Sequence, residues 1–170
     1  VKSISVGDFL PDAFTFRQFI PELNSNISIA SDQIAQASDT VELLLIREGK
    51  ILSKDEITEW LSKLQGIDYA SQISKAAIIK LENNTYVAGA SIEEAAFVSI
   101  SPIQSAIAIM NAEFGKCLVT EVHTMGKGRD KLTIPEKSFV PLSGSDIQVL
   151  SQFAAHKNIP INFYNAFGDR

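Results

Sequence analysis

Four side chains offer the parts of a nucleophilic triad. Ser143 and Asp146 stand three residues apart, and His123 or His156 could supply the base. Acyl transfer needs a hydroxyl, an imidazole that takes its proton and a carboxylate that orients the ring. The segment Leu142-Ser143-Gly144-Ser145 lacks the Gly-x-Ser-x-Gly elbow that exposes such a serine, and no spacing ties either histidine to it. His123 reads as a strand residue, and His156 as the end of a helix, where a cation complements the dipole. Lys127, Arg129 and Lys131 cluster in the loop Met125 to Lys131, and such a loop could hold a phosphate or an RNA backbone. Asp130 sits among them, and a short run of mixed charge reads as solvated surface. Cys117 has no adjacent base in sequence and reads as an inert thiol in an apolar strand.

The elements that position these residues follow from period and capping. Ser53-Lys54-Asp55-Glu56 is a capping box, and Ile57, Trp60, Leu61 and Leu64 follow at helical spacing, giving an amphipathic helix that ends near Gly66. The apolar run Val41 to Ile46 is too short for its period to separate strand from helix, and we assign it as helix. Ala76 to Lys80 and Tyr86 to Ala90 flank Glu82-Asn83-Asn84 and read as a β-hairpin. Ser101-Pro102-Ile103-Gln104 combines an N-cap, a proline at the first helical position and Gln at the third, opening a buried helix to Phe114. Strands are expected at Cys117 to Thr124, Ser138 to Pro141 and Pro160 to Tyr164. A helix is expected from Ser143 to Ser145 through about Lys157, with Ser145 and Gln148 at capping-box spacing. This order predicts an α/β fold, a three-layer α/β/α sandwich around a mixed sheet.

Composition narrows the function classes. The 170 residues are 45% hydrophobic and 21% charged, which suits one globular domain. Fifteen Lys plus Arg against 20 Asp plus Glu leave a net charge of −5, the wrong sign for general attraction to nucleic acid or an anionic membrane. A single cysteine forms no intrachain disulfide and fits a reducing cytoplasm. Residues 1–38 hold Pro11, Pro21, scattered aromatics and a Ser/Asn/Gln-rich stretch, and read as an interdomain linker arm ahead of a domain spanning 39–170. The opening on Val1 suggests a fragment whose N-terminal partner is missing.

Segments at the helix starts Ser101 and Ser143 carry a family likeness. Gly89-Ala90-Ser91-Ile92-Glu93-Glu94-Ala95-Ala96-Phe97 resembles the Gly-x-Asn-x-Glu-Asn-Ala segment of cytidine deaminases. Leu142-Ser143-Gly144-Ser145-Asp146-Ile147-Gln148-Val149-Leu150-Ser151-Gln152-Phe153 resembles their Pro-Cys-Gly-x-Cys-Arg-Gln helix outside the ligands. Zinc-dependent deaminases of this type place a His or Cys, one residue and then Glu on the first helix, and Pro-Cys-x-x-Cys on the second. In that register Ser101 takes the place of the first ligand, Ile103 that of the catalytic Glu, and Ser143 and Asp146 those of the two cysteines. Two serines and one aspartate do not make a zinc site, and Ile103 cannot shuttle a proton. The resemblance therefore implies a degenerate domain, with no metal and no catalytic residue in this chain.

Leu10-Pro11-Asp12-Ala13-Phe14 is similar to the linker of the bacterial homodimeric subgroup, and Glu94 to Phe97 with Ser101 to Gln104 is similar to its C-terminal non-catalytic repeat. The resemblance implies a parent enzyme of pyrimidine salvage, cytoplasmic, with zinc in an N-terminal catalytic domain that acts on cytidine and deoxycytidine. This chain would contact that domain and a second identical subunit, supplying dimer interface. Phe14 and Phe97 match aromatic positions that close over the base in the partner subunit's pocket, where a ring excludes water and stacks on the pyrimidine. Both could instead be core or interface aromatics. Glu93 keeps the ribose-binding identity while the neighbouring Asn is Ser91, which leaves half of a ribose site. The alternative is a free-standing pseudoenzyme that binds a nucleoside or a protein partner without catalysis.

Overall fold

A computed structural model of the chain describes residues 45–64, 73–93, 99–128 and 139–164, and of residues 93, 127 and 128 only the backbone. The chain divides into two units, Val1–Leu43 and Leu44–Arg170, and every described residue belongs to the second.

The described elements run β1 (Ile46–Arg47), α1 (Lys54–Lys63), β2 (Ile73–Leu81), β3 (Tyr86–Ala90), β4 (Ile92–Glu93), β5 (Ser99–Ile100), α2 (Pro102–Phe114), β6 (Val119–Gly128), α3 (Gly144–Phe153) and β7 (Ile161–Tyr164). Five strands form one sheet in the order β1-β3-β2-β6-β7. Only the β6–β7 pair is parallel, so the sheet is mixed, as expected. Short β4 and β5 make a separate two-stranded ribbon.

The central strand explains the layering. Successive side chains of a strand point to opposite faces, and β2 sends Ala77, Ile79 and Leu81 to one face and Ala76 and Ile78 to the other, all buried. The first set packs with Ile103, Ala106, Ile107 and Met110 of α2, with Val119 and Val122 of β6 and with Leu150 of α3. The second packs with Ile57, Trp60 and Leu61 of α1, and with Tyr86, Met125 and Tyr164. A strand covered on both faces reads as a continuous apolar run, and the result is the expected α/β/α sandwich.

Each helix is opened by a reciprocal cap. In α1 the Ser53 side chain accepts from the Glu56 N–H while Glu56 accepts from the Ser53 N–H. The Lys50 ammonium lies 2.6 Å from Glu56 Oε1. That ammonium, followed by the Ser53 backbone and hydroxyl, pulls the Glu56 carboxyl down from 4.5 to about 2. In α2 Ser101 and Gln104 exchange the same pair of bonds, as the sequence predicts. In the β2–β3 hairpin Asn84 adopts φ +60°, a conformation Asn tolerates, and Asn83 Oδ1 accepts from the Thr85 N–H.

Several expectations are corrected. Of the run Val41 to Ile46, residues 41–44 lie outside the described set, and Ile46–Arg47 is strand, paired antiparallel with Val87 and Tyr86. The polar loop expected from Met125 is strand as far as Gly128, because Met125 to Gly128 continue the ladder against Ala76 to Ile73. Phe139 to Pro141 form no strand. The last helix stops at Phe153 rather than near Lys157, since Ala154 bridges to Val119 and the Ala155 N–H donates to the Val119 carbonyl. The cap of α3 is Ser143 with Asp146, not Ser145 with Gln148. Cys117 is half-buried ahead of β6 instead of within it, and its Sγ lies 3.8 Å from the Phe114 carbonyl.

Candidate functional site: two capped helix starts over one pocket

The N-termini of α2 and α3 meet at a cavity of about 320 Å³. Its polar lining includes Lys75, Ser91, Thr124, Ser101, Ser143 and Asp146. Glycine lets α2 lie close to the sheet, for a Cβ on Gly89 would fall 2.3 Å from the Pro102 carbonyl oxygen and 2.5 Å from the Ala106 nitrogen. Ser91 is joined to β2 by two bonds with Lys75: its N–H donates to the Lys75 carbonyl, and its hydroxyl accepts from the Lys75 N–H. Thr124 donates its hydroxyl to the Ala76 carbonyl.

Three of the positions singled out in the sequence thus share one pocket, and each is occupied in capping. Ser101 Oγ accepts from the Gln104 N–H at 3.1 Å. Ser143 Oγ accepts from the Asp146 N–H at 3.2 Å and donates to Asp146 Oδ2 at 2.7 Å. The Ser143 N–H donates to the same Oδ2 at 2.8 Å. A carboxylate at the first turn also suits the positive end of the helix. Asp146 is buried, and among the described residues its other oxygen, Oδ1, has no hydrogen-bond partner.

The remaining candidates fall elsewhere. Ile103 lies in the core beneath α2 and does not line the pocket. Glu93 pairs through its backbone with Ser99 in the β4–β5 ribbon, and its side chain lies outside the described residues, as do Phe14 and Phe97. His123 is buried on β6 with Nδ1 3.2 Å from the Tyr164 hydroxyl and Nε2 3.6 Å from Glu121 Oε1, and His156 is exposed beyond α3. Neither histidine lines the pocket of Ser143 and Asp146, so no triad forms. Lys75 and Thr124 were not singled out in the sequence. They reach the pocket through the β2–β6 ladder, and no local motif marks them.

No family model matches the chain, and no curated protein matches it. Solved structures do. The cytidine deaminase of Burkholderia pseudomallei superposes with a TM-score of 0.56 at 13% identity, over 69% of this chain and 89% of that one. The fold is that of the cytidine deaminases. The enzyme of Mycobacterium leprae gives 0.53 at 13% identity, over 66% and 89%. A mutant enzyme of Mycobacterium tuberculosis gives 0.53 at 10%, over 66% and 83%.

The sequence resemblance implies a zinc ion at this place in the fold, and the described residues do not fit it. A hydrolytic zinc takes at least three ligands from imidazole, thiolate or carboxylate. The pocket's described lining offers one carboxylate, already bonded twice to Ser143 through Oδ2, the Ser101 and Ser143 hydroxyls, engaged by helix N–H groups, and the Ser91 and Thr124 hydroxyls, engaged by strand backbone. Among the described residues no group of three or more His, Cys, Asp or Glu could hold a metal. Among those residues, too, no helix is long and apolar enough to cross a membrane.

Proposed function

We propose that this chain is the non-catalytic C-terminal domain of a two-domain, zinc-dependent cytidine and deoxycytidine deaminase of pyrimidine salvage in the cytoplasm. One observation carries the reading: on a cytidine-deaminase fold, Ser101, Ser143 and Asp146 converge on one pocket and are all engaged in capping its two helices. Side chains that satisfy helix N–H groups add stability, about 1 kcal/mol per cap, without being available as ligands. The domain would serve as scaffold, contacting its own N-terminal catalytic domain and a second identical subunit. The parent would hold zinc in the N-terminal domain, and Phe14 and Phe97 would cover the base in the partner subunit's site.

The test is Phe97→Ala in the complete protein. The expected result is a higher KM or lower kcat with zinc content unchanged. Unchanged kinetics would remove the covering role.

The pocket between the two helix starts favours a second reading, a free-standing pseudoenzyme that binds a nucleoside or a protein partner without catalysis. Calorimetric titration of this chain with cytidine and uridine separates the two. Heat of binding supports the pseudoenzyme, and none is expected of a supporting domain.

A further inference from the structure

We infer that Arg47 and Lys80, which flank Tyr86 on the α1 side of the sheet, bind the dianionic phosphate group of a small phosphate monoester. The inference stands on these groups whether or not a catalytic domain precedes this one, and neither cation lines the pocket between α2 and α3.

Register places the two cations together. Arg47 of β1 and Lys80 of β2 are both cross-strand partners of Tyr86 in β3. Residues directly opposite one another share a face of the sheet, so the three form one row, on the side that packs against α1.

Each cation is held on an aromatic ring. The Arg47 guanidinium carbon lies 4.3 Å from the centroid of Trp60, and the Lys80 ammonium lies 5.7 Å from that of Tyr86. Trp60 and Tyr86 are buried, so the rings are fixed. Side chains laid on fixed rings have lost rotamer freedom before a ligand arrives, which lowers the cost of binding. Both cations are half-buried, and Arg47 Nε is shut off from solvent with no acceptor among the described residues. A ligand reaches the guanidinium through its outer nitrogens, which are not among the enclosed atoms.

The carboxylates around them are committed elsewhere. Glu56 binds Lys50, and Glu59 binds Lys63. Lys63 comes first among the groups that lower the Glu59 pKa, and Arg47 adds only a weaker coulombic pull. Glu121, opposite Lys80 on β6, accepts from the Asn162 amide with Oε1. Glu48 is exposed and forms no ion pair with Arg47. Among the described residues, two half-buried positive charges therefore lack a counter-ion, and partial burial strengthens their pull on one. Two charges select a dianion over a carboxylate, and the fork of Arg with the point charge of Lys suits phosphate oxygens.

The test is an NMR titration of the whole chain, at about pH 7.5 and fixed ionic strength, with methyl phosphate, a dianion there, and with methyl sulfate, a monoanion of the same shape. Trp60 is the chain's only tryptophan, so its indole N–H resonance reports the site directly. The expected result is a saturable shift of that resonance and of the Arg47 and Lys80 amides, with methyl sulfate about tenfold weaker, the scale of one charge-assisted hydrogen bond. Lys80→Gln should bring methyl phosphate down to the affinity of methyl sulfate. Arg47→Lys, which keeps the charge and loses the fork, should weaken both anions by about threefold or more. Equal affinity for the two anions, shifts centred elsewhere, or none would overturn the site. The matched anions act on the unaltered chain, so a folding defect in a variant does not spoil the test. Failure here leaves the supporting-domain reading standing, since Phe97→Ala tests that reading separately.

Discussion

Gly89 of β3 and Pro102 at the start of α2 approach so closely that a methyl group on the glycine would lie 2.3 Å from the proline's carbonyl oxygen. That contact is backbone on the helix side, and the Ala106 nitrogen at 2.5 Å and Cα at 3.1 Å close the same space. Nothing there can rotate away. The approach fixes how near the α2 N-terminus lies to the sheet, and therefore where Ser101 stands.

Gly89→Ala should cost about 3 kcal/mol, the upper end for overpacking a rigid site. A Cβ on Gly126 would lie 2.2 Å from Cγ2 and 2.7 Å from Cβ of Val140; rotating the valine clears the first but not the second, so the backbone at Val140, which lies outside any helix or strand, must shift as well. Gly126→Ala should cost about 2 kcal/mol. Gly144 opens α3 with nothing within 4 Å of an added Cβ, so Gly144→Ala should stabilise by about 0.5 kcal/mol. Urea unfolding of the three variants checks the order, and a neutral Gly89→Ala would contradict the packing.

The α3 cap should behave as a coupled pair. Ser143→Ala removes both a donor and an acceptor of Asp146 and should cost about 1 kcal/mol. Combined with Asp146→Ala, the double variant should differ from the sum of the singles by at least about 0.5 kcal/mol. Additivity would mean that the two residues do not act on one another.

The α1 cap makes a prediction about acid. The Glu56 carboxyl is drawn from 4.5 to about 2, first by the Lys50 ammonium and then by the Ser53 N–H and hydroxyl. Its folded pKa is depressed, so its contribution to stability is fully present above pH 4.5 and is lost as the pH falls toward 2. Carboxyl NMR should place the Glu56 midpoint near 2, and Ser53→Ala should raise it. A midpoint at 4.5 would contradict the cap.

Where backbone chemistry is local, the sequence is legible. Ser53-Lys54-Asp55-Glu56 and Ser101-Pro102-Ile103-Gln104 carry their caps in four residues, and both helices start where expected. The β2–β3 hairpin is marked by its Asn-Asn turn. What escaped is decided at a distance. Lys127 and Gly128 have loop composition, yet they extend β6 because Ser74 and Ile73 lie opposite. Ile46 is strand because β3 has an open edge beside it. In the Ser143 to Gln148 segment two capping registers compete, and the chain takes the one that gives Asp146 to the helix start. The pocket was legible only as two helix starts, since Lys75 and Thr124 join it through sheet register.

The most direct test of the central claim is the zinc that this chain retains after equilibration with the metal and removal of the unbound ion. A pocket whose three candidate positions are committed to caps should retain none. One equivalent of zinc per chain, lost on Asp146→Ala, would contradict the account and restore this domain as a metal centre.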